Sequence, residues 1–147
     1  MKKIKIAVLI LTAILLIGCV KKVGSDTKGD TMKFILETNV SENYTWAYSI
    51  MDSNIMDIKS IDYLTPADDQ TLKTDAEVLI FKALSEGEVE IIISYTSNQT
   101  GESKYDLTYV LEVDADKNIK VKEKSGNYNK EIPSPIIYTE AESTDEE

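Results

Sequence analysis

The stretch 88–114 constrains the fold most, because its apolar residues recur at every second position in two runs. Val89, Ile91, Ile93 and Tyr95 alternate with Glu90, Ile92, Ser94 and Thr96, and Tyr105, Leu107, Tyr109, Leu111 and Val113 alternate with Asp106, Thr108 and Glu112. A period of two puts alternate side chains on opposite faces of an extended chain, so each run predicts a strand with one apolar face. The connection 96–104 is polar and contains Gly101, which suits a loop joining antiparallel strands. Such a pair leaves an apolar face that a second layer must cover.

The rest of the chain supplies that layer. Residues 32–38 predict a first strand with Phe34 and Leu36 on one face, and residues 44–51 a second with Tyr44, Trp46, Tyr48 and Ile50 on one face. Trp46 is the heaviest core anchor, and the tyrosines fall mostly on inward phases. In 56–64, Ile58, Ile61 and Leu64 sit three apart, as on a short helix. Asp57, Ser60, Asp62 and the following Thr65-Pro66 are poor helix company, so an irregular strand is expected there. Residues 66–75 read as a polar loop, and the nearly continuous apolar run 77–84 as a strand covered on both faces or crossing between layers. After a turn at 114–118, residues 119–124 predict a last strand whose Lys120 and Lys122 blunt an exposed edge. Gly126, Pro133, Pro135 and the acidic run from Glu140 predict a disordered acidic tail over 125–147. About seven antiparallel strands and no convincing helix make residues 32–124 an all-β sandwich.

The amino-terminal end has a different character. Lys2, Lys3 and Lys5 precede the run 6–17, which is apolar except for Thr12 and suits a secretory core while being too short to span a bilayer. Leu16-Ile17-Gly18-Cys19 resembles the lipobox of bacterial lipoproteins, in which the cysteine is acylated and becomes the new amino terminus. The expectation is a lipoprotein signal peptide at 1–18, lipidation at Cys19, a flexible tether at 19–31 and attachment to the cell membrane facing away from the cytoplasm. Cys19 is the sole cysteine, so no intramolecular disulfide can form and an ordinary core must hold the domain, which is expected to be a monomer. Beyond Cys19 the chain carries 13 lysines against 26 acids, a balance that excludes nucleic acid as a partner and repels anionic lipid headgroups. Membrane attachment therefore rests on covalent lipid.

Absent chemistry narrows the function. The chain has no histidine and no arginine, and its one cysteine lies in the processing site. The usual general base, guanidinium clamp, thiol nucleophile and soft-metal ligands are missing, so the protein is expected not to be an enzyme and to take no cofactor. Asp114-Ala115-Asp116-Lys117-Asn118 has the opening spacing of a calcium loop, but Ile119 stands where glycine is needed and Ser125 where the bidentate acid is needed. A hairpin turn without metal is the expectation.

Two further stretches carry a family pattern. The first is Asn39-Val40-Ser41-Glu42-Asn43-Tyr44-Thr45-Trp46; the second follows Tyr95 and Thr96 with Ser97-Asn98-Gln99-Thr100-Gly101. Together they resemble the chagasin family, immunoglobulin-like inhibitors of papain-type cysteine peptidases. That family carries Asn-Pro-Thr-Thr-Gly, an aromatic, one residue and Trp. Asn39, Tyr44 and Trp46 match, Ser41 keeps a hydroxyl, and Asn43 replaces a glycine while tolerating a left-handed backbone. The family's second loop reads Arg-Pro-Trp, one residue and Gly; here its length and Gly101 remain without the three recognition residues. Its glycine-rich middle loop falls at 66–75, although no glycine occurs between Gly29 and Gly87. The resemblance implies an immunoglobulin-like sandwich whose loops 39–43 and 97–101 enter a peptidase cleft from one end, with the middle loop bracing the side. A surface lipoprotein binding another protein or envelope component through the same loops, or a structural module, are the alternatives. Replacing Cys19 by serine is expected to release the protein from membranes, and continued co-fractionation with membranes would contradict the lipobox reading.

Overall fold

The computed structural model describes residues 28–140. The expected signal peptide, Cys19 and most of the expected tether lie outside the described residues, as does 141–147. Eight strands form in chain order: β1 (Thr31–Glu37), β2 (Tyr44–Ile50), β3 (Met56–Leu64), β4 (Ala76–Ala83), β5 (Gly87–Ser97), β6 (Ser103–Val113), β7 (Ile119–Gly126) and β8 (Ile136–Tyr138). They build two antiparallel sheets, ordered β3-β4-β1-β8 and β2-β5-β6-β7, packed as a sandwich.

The alternation in β5 and β6 decides what faces inward. Val89, Ile91, Ile93 and Tyr95 are buried, with Leu107, Tyr109, Leu111 and Val113 beside them in the same sheet. Met32, Phe34 and Leu36 of β1 and Leu79, Phe81 and Ala83 of β4 cover them from the other layer. Phe34 sits where the layers meet, with its ring centroid 4.7 Å from that of Tyr109 and 6.0 Å from that of Phe81. The apolar run of β4 is explained by burial on both faces, since outward-phase Val78 is also buried.

The Ile58–Ile61 spacing in β3 comes from a bulge, whereas Leu64, paired with Ala76, falls on the opposite face. The register with β4 shifts between Ile58 and Ser60, so Ile58 pairs with Phe81 and Ile61 with Leu79. One inserted residue thus puts two isoleucines three apart on the same face and mimics a helical period.

The reading of 125–147 as a disordered tail is corrected over residues 125–140. β7 continues to Gly126, the chain then crosses to the other sheet, and β8 pairs with β1, Tyr138 opposite Thr31. Tyr109 donates its hydroxyl to Pro133 O at 2.7 Å, and Lys124 Nζ donates to Ile132 O and Ser134 Oγ at 2.9 Å. Tyr128, Ile132 and Ile137 pack on the core. Pro133 and Pro135 signal disorder in a sequence, yet a proline costs nothing just before an edge strand whose outer side needs no ladder donor.

Register also fixes the poles. Glu37 and Leu64 both pair with Ala76, and Tyr44 pairs with Ser97. The β1–β2, β3–β4 and β5–β6 connections therefore emerge together at one pole. Thr31 and Tyr138, where the described chain enters and leaves the sheets, lie at the other. A chain ended after Glu140 should melt with the full-length protein, whereas one ended after Gly126 should melt roughly 10 °C or more lower, because several half-buried apolar side chains are lost. Equal melting of the two truncations would show that the crossing segment contributes nothing.

Candidate functional site

The β1–β2 loop is built by one asparagine. Asn39 Oδ1 accepts from Ser41 N at 3.1 Å and Ser41 Oγ at 2.6 Å, capping a short 3-10 turn over Val40–Glu42. Asn43 closes the turn in the left-handed region, at φ 59°, and donates its amide to Val40 O. Asn39 N donates to the hydroxyl of Tyr95 at 3.2 Å, and Thr38 N to Asp75 O at 2.9 Å, which roots the loop in the sandwich. Val40 is left at the apex, 66% exposed. Glu42 does not project from it. Its carboxylate accepts from Asn39 Nδ2 at 3.3 Å and pairs with Lys104 Nζ at 3.3 Å.

The β5–β6 loop touches this turn. Asn98 N donates to Asn43 O at 3.0 Å, Asn98 Nδ2 to Asn43 Oδ1 at 3.4 Å, and Thr45 Oγ1 donates to Asn98 Oδ1 at 2.9 Å. Ser97 Oγ accepts from the amides of Gln99 and Thr100, and Gly101 takes a φ of 74° that closes the turn. In the β3–β4 loop, Asp68 accepts from the Thr65 amide and hydroxyl and Asp69 from those of Thr71. These bonds hold both carboxyls below the usual aspartate range and stiffen a loop that has no glycine. Tyr63 donates to Asp75 at 2.7 Å, and this bond to a carboxylate pushes its phenol up to about 12.

Beneath the loops lies an aromatic floor. Trp46 is 4% exposed, donates Nε1–H to Glu37 O at 2.9 Å, and packs its ring 4.8 Å from Tyr95 and 6.0 Å from Tyr128. Tyr44 stacks on Tyr95, and Tyr105 meets Tyr128 edge to face. An open cleft of about 220 Å³ is lined by Asn39, Glu42, Lys104, Tyr105, Tyr128 and Lys130. Lys130 forms an ion pair with Glu37, which also lines it. Among the described residues, no cluster of His, Cys, Asp or Glu is placed to hold a metal ion.

Glu77 is the residue that sequence reading missed. It lies on the inward phase of β4 with Leu79 and Phe81 and is 9% exposed. One oxygen accepts from the backbone N–H of Trp46 at 3.1 Å, the other from Thr38 Oγ1 at 3.4 Å. β2 is an edge strand, so this carboxylate supplies the acceptor that a further strand would have offered. The available signal was a single charge at the head of an apolar run.

Burial pushes the Glu77 carboxyl up, against the lowering effect of the Trp46 amide and the Thr38 hydroxyl. The folded chain therefore holds this proton more tightly than the unfolded chain. Its contribution to stability falls as pH rises from the ordinary glutamate range through the raised value. Glu77→Gln, which keeps an acceptor, should melt at or above the native temperature at neutral pH, with the gap closing as pH falls through that window. Glu77→Leu, which strands both donors, should cost about 1–3 kcal/mol. Thermal melts across that window check both, and a Gln variant as damaged as the Leu variant would contradict the assignment.

The model of the Chagasin family peptidase inhibitor I42 matches residues 27–113, which takes in β1 to β6 and all three loops of this pole. No curated protein and no solved structure matches the chain. The matched family is one of inhibitors and not of enzymes. With its sandwich, its three clustered loops and a match over more than half its length, the chain belongs to the chagasin family.

Proposed function

We propose that this protein inhibits papain-type cysteine peptidases from a lipid anchor at Cys19, using the loop pole as a wedge. The observation that carries the reading is the family match over the three loops of this pole, where Asn39, Ser41 and Asn43 shape a rooted turn with Val40 at its apex. Inhibition then needs no chemistry. A rigid loop fills the cleft, excludes substrate and presents backbone that the peptidase cannot use, at little ordering cost because the loop is already fixed. The β5–β6 and β3–β4 loops flank it.

The anchor suits this geometry. Residue 28 lies at the pole opposite the loops, and the nine residues from Cys19 to it span at most about 30 Å. A lipid on Cys19 would leave the inhibitory pole facing away from the membrane.

A second reading is a surface lipoprotein whose pole binds another protein, and the composition of the β5–β6 loop favours it. Ser97, Asn98, Gln99, Thr100 and Gly101 supply neither a cation nor an aromatic, the residue types that dominate most interfaces. Titrating the domain from residue 20 onward against a panel of papain-type peptidases separates the two. Inhibition that Val40→Asp weakens at least about tenfold, by burying an uncompensated charge, is the expected result. No inhibition of any panel member at micromolar concentration would favour the second reading.

A further inference from the structure

The β5–β6 hairpin touches the β1–β2 loop from both of its flanks. Before its tip, Asn98 makes two hydrogen bonds to Asn43, the left-handed residue that closes the 3-10 turn, and accepts a third from Thr45. After its tip, Lys104 pairs with Glu42, whose other oxygen holds the Asn39 amide; Asn39 in turn caps Ser41. Lys104 is itself seated, its ammonium 5.7 Å from the Tyr44 ring centroid and 5.6 Å from that of Tyr105. The tip residues Gln99 and Thr100 are exposed, and their amides are spent on Ser97 within the same turn.

We infer that in this chain the β5–β6 hairpin is a brace for the wedge rather than a second contact with the partner, with Asn98 and Lys104 as positioning residues. This rests on the reading of the loop pole as the peptidase-binding end. Loss of the arginine and tryptophan expected in that loop then leaves its second task intact. A turn of five residues closed by a left-handed asparagine has many alternative conformations, and each lowers the fraction of molecules ready to bind. Two independent tethers, one to Asn43 and one to Glu42, hold that fraction high.

The test compares Asn98→Ala, Lys104→Met, Lys104→Arg and Gln99→Ala in the soluble domain. It reads inhibition of a responsive papain-type peptidase, melting temperature, and amide hydrogen exchange at residues 41–43 without peptidase. Asn98→Ala and Lys104→Met should each weaken inhibition about tenfold, as a roughly tenfold fall in the competent fraction requires. Both should speed exchange at 41–43 while the melting temperature stays near native. Lys104→Arg should recover most of the inhibition, Gln99→Ala should change nothing, and Lys104→Met combined with Glu42→Gln should be no worse than either alone. Weakening by Gln99→Ala without weakening by Lys104→Met would overturn the inference and make the tip a contact. A native protein that inhibits nothing would sink the peptidase reading instead, and the exchange measurement would still decide the brace. Unchanged exchange in both Asn98→Ala and Lys104→Met would end it.

Discussion

Burial of the inner face of β5 and β6 has to supply the stability of this fold, because the single cysteine leaves no disulfide to share the task. Each fully buried Ile, Leu or Val on that face contributes about 1.5–3 kcal/mol, most of it offset by the conformational entropy of ordering the chain. The requirement explains the rest of the architecture. β1 and β4 close the face from the opposite layer, and the segment after β7 returns to pack Tyr128, Ile132 and Ile137 on the core and to accept the Tyr109 hydroxyl at Pro133 O.

At the loop pole the sandwich changes character. The apolar interior gives way to aromatic rings with polar tips and to one buried carboxylate. Trp46 ties the two sheets at this point, through its indole N–H to Glu37 and its backbone N–H to Glu77. Tyr95 packs on Trp46 and presents its hydroxyl to Asn39, the residue that caps the β1–β2 turn. Loop geometry is thus passed up from the core through a short chain of hydrogen bonds, and the β1–β2 turn closes without glycine or proline. The apparent extravagance of burying Glu77 has a geometric return, since it satisfies an edge-strand amide and the residue where β1 leaves the sheet.

What the sequence discloses follows the physics of each segment. Strands β1, β2 and β5 to β7 are readable because one covered face writes a period of two, β4 because cover on both faces writes a continuous apolar run, and the bulged β3 because its polar company outweighs a false helical spacing. β8 was not readable. Three residues carry no period, and the segment before them is held by Tyr109, 24 positions from its acceptor Pro133, and by Lys124, whose partners Ile132 and Ser134 lie outside any strand. The same limit applied at the site. Asn39 and Asn43 announce a turn, but the pairing of Glu42 with Lys104 and the clasp of Glu77 on Trp46 join residues 62 and 31 positions apart. No local pattern records such contacts.

In the proposed function the turn over Val40–Glu42 occupies a peptidase cleft. The most direct measurement is an amide-exchange footprint of the domain with a papain-type peptidase whose cleft is open, beside one whose cleft is covalently filled. New protection is expected at residues 39–43 with the open enzyme and none with the filled one. Protection that survives filling of the cleft, or that falls on the outer face of β1 and β4 instead, would contradict it.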